Sequence, residues 1–170
     1  MSSLCLGTGM TKLERSEMDA MAGSRMLLRT RIGKALLELK PADSFNIIHF
    51  DHNVYPFMTT LISASPQNIQ QATQFVDAIQ LKPDTNMSGA LEAAFVLKGV
   101  THIFLLSDGE PHTGIEDPNQ LRAMVKERNT SHIHIITLAL GLGEQFRGMA
   151  LLKSLAEEND GQYSYVNLSH

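Results

Sequence analysis

The chain has 170 residues, 43% of them hydrophobic, which is enough to bury a core as one domain. A formal net charge of −4 gives no basic field for nucleic acid, and the single cysteine, Cys5, excludes an internal disulfide and any cysteine-built zinc site. No apolar run approaches the roughly 20 residues needed to cross a bilayer, and Met1–Gly7 lacks the basic start and long apolar middle of a signal peptide. The chain is therefore expected to be soluble and cytoplasmic.

The beginning is the least regular part. Only Ser3–Leu6 is apolar enough for a strand, and it is short; residues 10–21 carry too much charge for a buried central strand and suit a helix better. From Gly23 to Lys40, Met26, Leu27, Ile32, Leu36, Leu37 and Leu39 recur at helical spacing, with Ser24 as cap and Pro41 as stop. Ser44–Asp51 reads as a strand. Val54–Met58 continues as a short one, placed at an edge by Pro56. Ser65-Pro66 opens a helix to Ile79, Ser as cap and Pro at the first helical position. The turn Asp84–Ser88 starts a helix from Met87 to Leu97, with Leu91, Ala94 and Phe95 inward.

Thr101–Pro111 then organises the whole chain. An apolar run of strand length ends abruptly in Ser107-Asp108-Gly109-Glu110-Pro111, as strands buried on both faces of a parallel sheet do. Asp117-Pro118 begins a helix to Asn129, His132–Leu140 is another buried strand, and Gly141-Leu142-Gly143 turns the chain. Glu144–Asn159 is the last helix and Gly161–Asn167 a closing strand. This alternation predicts an α/β fold: a doubly wound, mostly parallel sheet with helices on both faces and right-handed crossovers. Its ligands belong at the carboxyl edge of the sheet, which is where Asp108 falls.

Five segments, in this order, resemble the von Willebrand factor type A domain. They are Gly23–Met26, Asp43–Asp51, Asp84–Leu91, Leu105–Pro111 and Ala156–Tyr163. The resemblance covers residues 22–166 and makes 22–170 the domain, with 1–21 an atypical amino-terminal part of it. It implies a three-layer, Rossmann-like sandwich with a short or atypical first strand. It also implies a metal-ion-dependent adhesion site, where a divalent cation completes its shell with a partner's carboxylate. Of the three loops that build that site, Thr85 and Asp108 match. The Asp-x-Ser-x-Ser motif does not: with Met21–Met26 setting the register, its ligand positions fall on Ser16, Met18 and Ala20.

A Mg²⁺ ion needs near-octahedral oxygen ligands anchored by one or two carboxylates. Thr85 and Asp108 alone are a remnant, expected to hold Mg²⁺ or Mn²⁺ no better than about millimolar. Asp19 could substitute only if its loop refolds. The alternatives are structural: Asp108 taking loop N–H bonds and Thr85 capping the helix at 87. Asp51, Asn86, Ser88 and Glu110 complete the edge as a partner-binding surface.

His49 with Asp51 and His52, and His132 with His134, alternate along strands; without a third ligand they read as core or edge residues. Gly141-Leu142-Gly143 lacks the third glycine of a phosphate loop. The helix-spaced methionines read as core filler, and Cys5 has no partner base.

The function expected is a non-catalytic, adhesion-type protein–protein interaction domain, binding a protein partner at the carboxyl edge through that partner's acidic side chain. The alternative is a metal-assisted hydrolase using Asp51, Asp108 and a nearby histidine. A poor first strand leaves its neighbours with unpaired edges. Either Ser3–Leu6 fills that slot or a second copy does; the monomer is preferred to the swapped homodimer.

Overall fold

Local sequence rules set most of the element boundaries. The computed structural model describes residues 26, 29–80, 84–107, 109–141 and 148–167. Helix α1 runs over residues 29–38 and buries Ile32 and Leu36, four apart on one face. Met26 and Leu37, expected to face inward, are 69% and 79% exposed.

The strand expected over 44–51 is interrupted. It divides into β1 (Ser44–Phe45) and β2 (Ile48–Phe50), which pair antiparallel with β4 (Ile62–Ser63) and β3 (Val54–Pro56). Asn46, wholly buried, fills the break. Its Oδ1 accepts from the N–H groups of Ile47 at 2.8 Å and Met58 at 3.1 Å, and its Nδ2 donates to the Met58 carbonyl at 2.6 Å. The side-chain amide stands in for the missing rungs, so the two short pairs form one hairpin with a bulge.

Helix α2 (Pro66–Ala78) has Ser65 as its cap, accepting from Asn68 N–H at 3.2 Å, with proline at its start. Helix α3 (Met87–Phe95) leads to β5 (His102–Ser107). Next come α4 (Pro118–Arg128), capped by Asp117, and β6 (His134–Gly141). The chain ends its described part with α5 (Met149–Glu157) and β7 (Tyr163–Asn167). Strands β5, β6 and β7 form a parallel sheet in that order.

Alternation along the strands divides the core in two. On one face Ile103, Leu105, Ile135 and Ala139 pack with Leu91 of α3, Leu121 of α4 and Leu152 of α5. On the other, Leu106 and Leu140 pack with Ile32 and Leu36 of α1 and Val76 of α2. The result is the α/β sandwich expected, helices on both faces. Ile48 and Phe50 join the first core, Phe45 and Ile47 the second. Among the described residues the hairpin and the three-stranded sheet share no strand pairing. The Ser3–Leu6 strand, the 10–21 helix, Asp19 and Cys5 lie outside the described residues. No helix among those described is long and apolar enough to cross a membrane.

Candidate functional site

Where β2 and β5 end, three loops meet: residues 51–53, 84–86 and 109–115. Their backbones are stitched in series. Asn86 N–H donates to the Asp51 carbonyl at 2.8 Å, and His112 N–H donates to the Thr85 carbonyl at 3.0 Å. A backbone bond between segments far apart in sequence holds its geometry without using a side chain, which leaves the side chains for other work.

Side chains tighten the joint. Asn86, rather than Thr85, caps α3: its Oδ1 accepts from Gly89 N–H at 3.0 Å and from the Ser88 hydroxyl at 3.4 Å. Its Nδ2 donates to the His52 carbonyl at 3.2 Å, and Ser88 Oγ accepts from Ile115 N–H at 3.0 Å. Gly114 sits at φ +79°, and a Cβ there would lie 2.4 Å from Ser88 Oγ. Ser107 Oγ accepts from Gly109 N–H at 3.0 Å and fixes the turn out of β5.

The predicted edge residues therefore divide by role. Asp51 is 2% exposed and accepts from Asn53 N–H at 2.8 Å through Oδ1; Ser88 is buried too. Both hold the loops. Asn86 and Glu110 are half-buried and reach the surface. His52, exposed, has its Nδ1 3.3 Å from Thr113 Oγ1 and 4.0 Å from Asp84 Oδ2. His112 Nε2 lies 3.8 Å from Glu110 Oε2. Asp84 is held at φ +103°, a strained backbone for a residue with a side chain. Sequence reasoning did not assign His112, Asp84 or Thr113 to the site, because only the folded loops bring them beside His52 and Glu110.

Thr85 has no exposed surface, and its hydroxyl is buried with no hydrogen-bond partner among the described residues. A buried oxygen without a partner is one that a water or an ion would satisfy. Asp108 lies outside the described residues. Among those described, no group of three or more His, Cys, Asp or Glu side chains could hold an ion. The donor set fits a divalent cation in part only: one hydroxyl oxygen is ready, and its carboxylate counterpart rests on Asp108.

The other sequence candidates are elsewhere. His49 stacks on Tyr55, ring centroids 5.6 Å apart. His132 precedes β6 at φ +52°, so it does not alternate with His134 along the strand as expected. Gly141 ends β6, and residues 142–147 lie outside those described. At the opposite end of the sheet, α4 and α5 border an open groove of about 720 Å³ lined by Arg122, Lys126, His132 and Glu158 among others. There the Arg122 guanidinium is tied to the Glu158 carboxylate, which raises its pKa.

The profile of the von Willebrand factor type A domain matches residues 18–165. Human inter-alpha-trypsin inhibitor heavy chain H2 is 29% identical over 155 residues, covering 84% of this chain and 16% of that protein. The human heavy chain H4 is 30% identical over 145 residues, covering 78% and 15%. This chain thus spans about one sixth of those relatives. Among solved structures, a von Willebrand factor type A protein from Catenulispora acidiphila superposes with a TM-score of 0.77 at 17% identity, over 99% of this chain and 40% of that one. Proximal thread matrix protein 1 from the mussel byssus, with a zinc-occupied adhesion-site motif, superposes at 0.68 with 13% identity, over 98% and 42%.

Proposed function

Because the chain belongs to the von Willebrand factor type A family, we propose that it is a non-catalytic protein-interaction module. Its binding surface is the carboxyl edge made by the loops at 51–53, 84–86 and 109–115. The observation that carries this reading is the backbone stitching of those loops through Asp51, Asn86, Thr85 and His112. A surface fixed in advance loses little freedom on binding, and an edge of loops on a rigid sheet is where α/β folds recognise ligands. Asn86 and Glu110 face the partner, while Asp51 and Ser88 keep the loops in register.

Thr85 and Asp108 would hold Mg²⁺ or Mn²⁺ weakly, the ion drawing in a carboxylate of the partner protein. What the ion supplies is positive charge at an edge that otherwise carries Asp84 and Glu110. The hydrolase reading needs three converging ligands, and one of its carboxylates, Asp108, lies outside the described residues.

Peptides selected from a display library on the immobilised chain, in Mn²⁺, test the surface. Their chemical-shift perturbations are expected on residues 52–53, 85–86 and 110–113. Perturbations confined to the α4–α5 groove would overturn the assignment. Calorimetric titration with Mn²⁺ tests the ion: the expected affinity is about millimolar or weaker, and micromolar binding abolished by Asp108→Ala would show a complete site.

A further inference from the structure

Where β5 and β6 begin, at the end of the sheet opposite those loops, two imidazoles lie side by side. His102 and His134 are register partners on the parallel strands, their ring centroids 5.1 Å apart and their planes tilted by 31°. Each ring is fixed through Nδ1. The His134 Nδ1 lies 2.9 Å from the Asp160 carbonyl oxygen, which can only accept. Nδ1 therefore carries a proton, and in the neutral ring the lone pair is on Nε2. The His102 Nδ1 lies 2.9 Å from the Thr101 hydroxyl, which can donate or accept and so allows His102 the same tautomer. Metal-binding histidines are oriented this way, one ring nitrogen held by an oxygen and the other free to coordinate.

We propose that His102 and His134 form a two-imidazole site for a borderline divalent transition ion, Ni²⁺, Cu²⁺ or Zn²⁺, bridging the amino ends of β5 and β6. Imidazole nitrogens suit these ions and not Mg²⁺, so the site is chemically separate from the oxygen donors at the carboxyl edge. Among the described residues no third His, Cys, Asp or Glu joins them, so the two imidazoles leave positions of the shell open to exchangeable donors such as water. The ligands come from two adjacent strands of the sheet. Binding therefore clamps β5 to β6, and because the unfolded chain has no such pair it stabilises the fold by mass action.

The test is Ni²⁺ titrated into the full chain without an affinity tag, read by calorimetry and thermal melting. One saturable ion per chain and a rise in Tm are expected. His102→Gln and His134→Gln should each weaken binding at least about tenfold, the factor usual for losing a metal-shell group. The double variant should be little worse than either single one, whereas His132→Gln should bind as the parent does. Affinity equal to that of the parent in both single variants overturns the site. In the unsubstituted chain, paramagnetic broadening by Cu²⁺ should reach the ring resonances of His102 and His134 first. Broadening that begins at His52 or His112 overturns the proposal irrespective of how the variants fold.

Discussion

Thr85 and Tyr163 each bury a hydroxyl oxygen that has no hydrogen-bond partner among the described residues. Such a group forfeits its water without replacement, at a cost of about 1–3 kcal/mol. Thr85→Val keeps the branched shape and removes the orphan oxygen. It should leave stability unchanged or raise it by about 1 kcal/mol, read from the denaturant midpoint at constant m. The same substitution should weaken partner binding at the carboxyl edge. A loss of stability instead would mean that the hydroxyl is already satisfied. Tyr163 allows a sharper test because it titrates. Its pKa is raised above 10.0 by burial and, secondarily, by Tyr165. The folded state thus holds the phenolic proton more tightly than the unfolded one. This contribution is neutral below pH 10 and turns against the fold as pH rises through 10, where the unfolded chain ionises first. Tyr163→Phe should abolish that part of the alkaline loss and be no less stable at pH 7. A variant whose alkaline melting curve matches that of the parent would refute it.

Among the elements, the hairpin depends most on one side chain. Asn46→Ala would leave the Ile47 and Met58 N–H groups and the Met58 carbonyl without their partner in a fully buried position. The expected loss is about 2–4 kcal/mol. Asn46→Asp, which sets a carboxylate oxygen against the Met58 carbonyl in a buried position, should cost at least as much; equal stability of all three would show that the bulge closes by itself. This residue also marks the limit of what periodicity reveals. The strand over 44–51 was legible from its apolar run, but an amide that replaces ladder rungs leaves no period to read. The helix starts at Ser65-Pro66 and Asp117-Pro118 were legible because cap and proline act locally. The cap at Asn86 was not separable from Thr85, since neighbouring polar residues compete for the same N–H groups. At the candidate site, the resemblance to a family named loops whose described parts the structure brings together. It could not show that backbone bonds join them, nor that His102 meets His134 across 32 positions, because strand register is a tertiary outcome.

At the scale of the whole molecule, two cores and one sheet must behave as a single cooperative fold, and their connections are unequal. Strand β6 is paired on both sides, covered on one face by α5 and on the other by the core that contains Leu140. Thr137 adds a buried bond from its hydroxyl to the Leu152 carbonyl at 2.9 Å, tying strand to helix. The hairpin is held differently. Phe45 and Ile47 enter one core, Ile48 and Phe50 the other, and among the described residues no ladder joins it to β5. Its outer strand β3 is half-buried at Val54 and exposed at Tyr55 and Pro56. Local opening follows few buried contacts and exposed backbone bonds. Native-state hydrogen exchange should therefore show the amides of Ile135–Ala139 exchanging only with global unfolding, with a steep dependence on denaturant. The amide of Val54 should exchange through a smaller, nearly denaturant-independent opening. Because loop 51–53 is stitched to 84–86, that opening should propagate to Asn86, and an edge-binding peptide should slow exchange at both. If Val54 and Ile135 instead exchange with the same free energy and the same denaturant slope, the hairpin and the parallel sheet open as one unit, and the carboxyl edge is as rigid as the core beneath it.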